Sequence, residues 1–124
     1  MLRDFERVWN YRSAARGGGA ANVHPCLGAE VWGLALQVDG PTLALMDAKE
    51  GHPGRYSRGT APLALYLPDR EVDVGAWVYQ VTPEFLVGQG CPPTREYLSL
   101  IIKAARKYDL PAEEIRRLED TVVA

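Results

Sequence analysis

The sequence predicts an α+β protein whose strands are mostly compatible with antiparallel pairing. Three observations carry that prediction. Apolar and β-favouring runs recur through the first 81 residues, while helical spacing of apolar residues is confined to 41–50 and to the stretch after Thr94. Neither regular β-α alternation nor a Gly-x-Gly-x-x-Gly turn is present, so a wound parallel sheet is excluded. The expected order is β-β-β-α-β-β-α-α.

Phe5, Val8 and Trp9 supply β-favouring side chains for a strand over about residues 3–10. Arg12 to Ala21 reads as a flexible polar loop: Gly17-Gly18-Gly19 lacks the Lys-Ser/Thr and helix opening that a phosphate cradle needs. Glu30 to Val38 is nearly continuous in apolar residues and reads as a strand buried on both faces. A short helix over 41–50 follows, with Pro41 suited to its first turn and Gly51 to the position just past its end. A His52-Pro53-Gly54 loop leads into a strand from Arg55-Tyr56 to Tyr66-Leu67, bent where Gly59 and Pro62 interrupt it. Pro68-Asp69-Arg70 makes a turn, and Gly75 to Val81 alternates as the next strand. Residues 83–92 form a Gly- and Pro-rich loop. Thr94 caps a helix over 95–108 with Tyr97, Ile101, Ala105 and Tyr108 on one face. Pro111 opens the last helix, where Glu113 and Glu114 in the first turn and Arg116 and Arg117 later complement the helix dipole.

Composition bounds the function. A chain of 124 residues, 47% hydrophobic and 24% charged, has the profile of one soluble domain spanning 1–124. A net charge of −2, with scattered arginines, gives no footprint for nucleic acid or an anionic membrane. Two histidines and two distant cysteines, Cys26 and Cys91, offer little for a metal site, and no cofactor is implied. No apolar run approaches a membrane span, and the thiols read as reduced ones in a cytoplasmic protein.

Glu50 is the residue that does not fit the pattern. Leu43, Met46 and Glu50 share one helical stripe, so a carboxylate occupies the apolar side. It also meets the negative end of the helix dipole. Two placements satisfy the pattern: a frayed last turn with Glu50 in water, or a cavity that uses the carboxylate. Asp47, one turn earlier, reads as a solvated helix charge, and Trp32 and Trp77 read as core.

Four segments carry a family resemblance: Glu30-Val-Trp-Gly-Leu-Ala-Leu36, Leu45-Met-Asp-Ala-Lys-Glu-Gly51 with Arg55-Tyr56, Ala76-Trp-Val-Tyr79, and Pro92-Pro-Thr-Arg-Glu-Tyr97 continuing through Leu110-Pro111. In this order and spacing, over roughly residues 28–118, the chain resembles the gamma-glutamylcyclotransferase-like superfamily, which includes the AIG2-like proteins. The resemblance implies a small mixed, mainly antiparallel β-barrel with flanking helices. It implies intramolecular aminolysis of a γ-glutamyl amino acid or amine, releasing 5-oxoproline, with Glu50 at the position of the acid/base. Tyr56, Tyr79 and Tyr97 align with tyrosines around the family's cavity, where they would contact substrate or orient Glu50. For Tyr97 a place in the core serves its helical stripe equally well. The 83–93 loop, with Gln89, Gly90 and Pro92, would border the site.

One departure conditions these expectations. The sequence contains no Tyr-Gly-Ser-Asn run, the family's expected anion-binding loop, and Met1-Leu-Arg-Asp-Phe5 resembles the family's second strand. The chain is therefore expected to be short at its N-terminus relative to the family. Cyclotransferase activity is expected if that loop is supplied in the full gene product. The alternative is an inactive member that binds a small metabolite or a protein, or pairs as a homodimer through an uncovered sheet edge.

Overall fold

The computed structural model describes residues 1–88 and 90–124. Its first unit is a long antiparallel hairpin: β1 (Leu2–Ser13) pairs with β2 (Gly18–Val31), with Leu2 opposite Val31, Trp9 opposite Ala21 and Ser13 opposite Gly18. α1 (Gly40–Glu50) follows, then β3 (Tyr56–Ser57), β4 (Leu63–Leu67), β5 (Val72–Ala76) and β6 (Gln80–Val81). A 3₁₀ turn at Pro83–Phe85 leads to α2 (Arg95–Lys107) and α3 (Ala112–Glu119). β3 pairs with β6 and β4 with β5, both antiparallel.

Short links knit the three ladders into one strip. The Met1 ammonium donates to the Tyr66 carbonyl at 2.7 Å, and the Tyr66 N–H donates back to Met1 O at 2.9 Å. That reciprocal exchange is the narrow pair of an antiparallel ladder, and it joins β1 to β4. On the other side the Val81 N–H donates to Asn22 Oδ1 at 2.9 Å, and Gln80 Nε2 reaches Val23 O at 3.3 Å. Asn22 is buried, and its Nδ2 donates to Asn10 Oδ1, so its amide is satisfied on both ends. The spatial order is β5-β4-β1-β2-β6-β3. This is the expected α+β class with antiparallel strands and flanking helices; closure into a barrel is not among the backbone pairings of the described residues.

Several elements differ from the sequence reading. Arg12 to Ala21 is the end of a hairpin, not a flexible loop. Gly17, at φ +70°, completes the turn, and Gly18, Gly19 and Ala20 are buried strand residues. Their small size lets β2 lie directly on the backbone of residues 91–94, where the Gly19 N–H donates to Pro92 O at 2.9 Å. A Cβ on Gly19 would fall 1.6 Å from the Cys91 carbonyl oxygen. Gly19→Ala is therefore expected to lower stability by about 2 kcal/mol or more, read as a reduced denaturant midpoint.

The strand expected over 30–38 stops at Val31, and residues 32–39 are irregular. Leu36 in that stretch is 74% exposed, so its apolar run does not mark a buried strand. The single strand expected over 55–67 is interrupted between Ser57 and Leu63, and the one over 75–81 between Ala76 and Gln80. The helices follow expectation closely. Thr94 Oγ1 accepts from the Tyr97 N–H at 3.2 Å as the cap of α2, and Asp39 Oδ1 caps α1 by accepting from Thr42 N–H at 2.8 Å.

The core sits where α2 and α3 meet the hairpin. Leu98, Ala105 and Leu118 are buried there against Trp9, Ile101 and Leu110. Glu114 is the surprise. It stands in the first turn, where its charge complements the helix dipole, yet it is only 1% exposed. Its Oε1 accepts from Arg7 Nη2 and from the Trp32 N–H, and its Oε2 accepts from Arg117 Nε, each at 2.9 Å. One carboxylate thus ties α3 to β1 and to the segment after β2. Trp32 is half-buried beside it.

Candidate active site

Glu50 lies at the very end of α1, and the way that helix closes fixes its backbone. Gly51 adopts the left-handed conformation, at φ 71° and ψ 32°. Its N–H donates to Ala48 O at 3.2 Å, and the His52 N–H donates to Asp47 O at 2.9 Å, which together form a Schellman closure. The Gly51 carbonyl then accepts from the N–H groups of Gly54 and Arg55, turning the chain back toward β3. Thr82 holds this turn from the far side, its N–H donating to Arg55 O at 2.8 Å and its hydroxyl to Gly54 O.

The turn leads into Tyr56 at the start of β3. The Tyr56 hydroxyl donates to the Ala21 carbonyl at 3.1 Å, and its ring meets Tyr11 edge-on at 5.5 Å. Burial pushes the Tyr56 phenol well above its ordinary range, and the neighbouring Tyr97, Glu50 and Tyr11 add to the rise. Tyr79 stands on the stretch between β5 and β6. Its hydroxyl donates to Asp47 Oδ1 at 2.5 Å, and its ring meets His52 edge-on. Burial first, then the hydrogen bond to Asp47 and its charge, push the Tyr79 phenol to about 12, with Glu50 contributing.

Asp47 is the hub of this side, contrary to its reading as a solvated helix charge. Arg58 grips it with two parallel bonds, Nε to Oδ1 at 2.8 Å and Nη2 to Oδ2 at 3.0 Å. Those bonds, with the one from Tyr79, hold the Asp47 carboxyl down at about 2. The Arg58 N–H donates to His52 Nδ1 at 3.3 Å, and its guanidinium lies 4.4 Å from the centre of the Trp77 ring. Trp77, expected in the core, is 38% exposed and serves as the platform for that arginine.

A family model described as the AIG2-like family matches residues 30–118, well over half of the chain. The chain belongs to the AIG2-like family. Among solved structures, one described as gamma-glutamyl cyclotransferase superposes with a TM-score of 0.87 at 22% identity. The superposition covers 99% of this chain and 72% of that one. A human protein described as uncharacterized gives a TM-score of 0.86 at 23% identity, with the same coverage of each chain. These likenesses establish the fold. No curated protein matches by sequence.

Within this AIG2-like chain, three of the residues singled out from sequence are Glu50, Tyr56 and Tyr79, and Glu50's charge contributes to the raised values of both phenols. Tyr97 adds to the rise at Tyr56. Its ring packs edge-on against Trp9 at 6.2 Å, lies under Arg16, and borders a separate concavity of about 420 Å³ with Trp32, Leu34 and Leu100. Among the described residues that concavity includes neither Glu50 nor Tyr79. Gly90 and Pro92 are exposed, and Gln89 lies outside the described residues. Sequence reasoning missed Asp47, Arg58 and His52 as members of the site. The available signal was proximity: Asp47 shares a motif with Glu50, and Arg58 stands two residues beyond Tyr56, so a helix end and a returning strand set opposite charges side by side.

Proposed function

We propose that this AIG2-like protein is a γ-glutamyl cyclotransferase that cyclises a γ-glutamyl amino acid or amine. Glu50 takes a proton from the substrate's α-ammonium, and the freed nitrogen attacks the substrate's own γ-carbonyl. As the ring closes, Glu50 passes that proton to the departing nitrogen and the bond to it breaks; Glu50 then takes the surplus proton left on the ring nitrogen and hands it to the released amine, which leaves as an ammonium. The products are 5-oxoproline and a free amino acid or amine, and the protons balance with Glu50 regenerated.

One observation carries the proposal. A carboxylate held at a fixed helix end adds its charge to two half-buried phenols, and neither Tyr56 nor Tyr79 has a hydroxyl proton to spare. Tyr56 gives its proton to a carbonyl and Tyr79 gives its proton to a carboxylate. Proton transfer at this place then falls to Glu50. Nucleophile and electrophile belong to one molecule, so binding in a folded conformation supplies much of the proximity benefit and a single proton carrier suffices. The fold shared with a structure described as gamma-glutamyl cyclotransferase is in keeping with this reading.

The test is mass spectrometry of 5-oxoproline release from a panel of γ-glutamyl amino acids and γ-glutamyl amines, with Glu50→Gln as the control. Release abolished by the substitution supports the proposal. A folded protein that turns over no member of the panel would replace it with the alternative of a binding module.

A further inference from the structure

Past the end of the β1–β2 ladder the chain presents an apolar strip with nothing to pair with. The ladder stops where Leu2 faces Val31, and Met1 exchanges its bonds with Tyr66 instead. The chain continues as Trp32-Gly-Leu-Ala-Leu-Gln-Val38 before Asp39 caps α1. Residues 33–38 are all exposed, and among the described residues none of their backbone N–H or carbonyl groups has a partner within the chain. Leu34 and Trp32 line, with Leu100 and Ile101 of α2, the concavity of about 420 Å³, so the strip runs beside an apolar hollow. It holds no Lys, no Pro and no charge, the devices that ordinarily guard an unpaired strand edge.

The molecule also carries more surface than a monomer of its mass. Its accessible area is 8244 Å². A folded monomer of 13.7 kDa is expected to expose about 6,600 Å². The difference, about 1,600 Å², is twice the ~800 Å² that each partner buries in a standard interface.

We infer that the 33–38 strip and the concavity beside it form an interface with a second copy of this chain, the two strips pairing antiparallel about a twofold axis. Composition selects a second copy as the occupant. Twofold pairing sets each residue opposite a residue of the same strip, so a strip free of charge pairs with itself without like charges meeting. Pairing would satisfy the unpartnered backbone groups and cover Leu34 and Leu36 together. The sheet's own edges suit the role less: β3 is two residues long, and β5 carries Asp73, held by Arg3. The strip enters α1 at the end opposite Glu50, and the interface stands whether or not the cyclotransferase reading does.

Sedimentation equilibrium of the full chain over a concentration series is expected to give a mass twice 13.7 kDa. Leu36→Lys is expected to raise the dissociation constant about 100-fold or more, since the twofold axis places two lysines in one apolar interface. Leu36 is exposed in the single chain, so the substitution should leave far-UV circular dichroism unchanged. Leu27→Lys is the control: Leu27 is exposed on β2, outside the strip, and its replacement is expected to leave the dimer intact. Amide hydrogen exchange of the wild type is a readout that needs no variant. The amides of 33–38, unpartnered within the chain, are expected to be protected. A wild-type chain that stays monomeric through the series, or whose 33–38 amides exchange freely, overturns the proposal. So does a dimer that Leu36→Lys leaves unchanged, one that Leu27→Lys dissociates equally, or assembly that grows beyond two copies.

Discussion

Glu50→Gln is expected to cut 5-oxoproline release by about 10²- to 10⁴-fold, the usual span for losing a positioned acid/base. The substitution is nearly isosteric and leaves the helix closure untouched, because Gly51 and His52 make those bonds through their backbones. Among the described residues the Glu50 carboxylate has no hydrogen-bond partner in the protein to lose. The melting temperature should therefore stay within a few degrees of wild type, as for surface changes of about 0.5 kcal/mol. The glutamine amide can still accept from an ammonium through its carbonyl, so substrate binding should weaken less than turnover. A Glu50→Gln protein that releases 5-oxoproline at the wild-type rate would remove Glu50 from the mechanism.

The largest effect on stability is expected from Glu114→Ala, at about 3–5 kcal/mol. Its carboxylate is fully enclosed and satisfies two arginines and one backbone N–H. Truncation leaves Arg7, whose side chain is 17% exposed, without its anion, and leaves the Trp32 N–H without an acceptor. Such a loss is a large share of the 5–15 kcal/mol by which single domains are stable. Glu119→Ala is the matched control. Its ion pair with Arg106 is solvent-exposed on both sides, at 62% and 47%, and its removal should cost under about 1 kcal/mol. Denaturant midpoints of the two variants measure the difference directly.

The sequence made the helices legible because their signals are local. Thr94, Pro41, Gly51 and Pro111 act within a turn of where they stand. What stayed hidden depends on non-local contact. Gly18, Gly19 and Ala20 have the composition of a loop, and only the Cys91–Thr94 backbone lying against them makes them a buried strand. Leu34 and Leu36 have the composition of a strand yet pair with no strand among the described residues. Glu114 and Asp47 both stand at positions where a helix ordinarily meets water. Their burial or engagement is decided by arginines that arrive from far along the chain or across a turn, and no periodicity within the helix reports them.

The attachment of α1 has a dynamic consequence. Every residue of this helix is exposed or half-buried, and its strongest ties, the Asp47 grip and the closure at Gly51 and His52, lie at one end. The segment leading into its other end is irregular and solvent-facing. Such a helix is a lever pinned near Glu50, so thermal excursions should be small at the carboxylate and grow toward Asp39. Amide hydrogen exchange along it should be correspondingly graded, fastest in the first complete turn and slowest from Ala48 to His52. Uniform exchange from end to end would mean that the helix opens as one piece, taking Glu50 out of register each time it does.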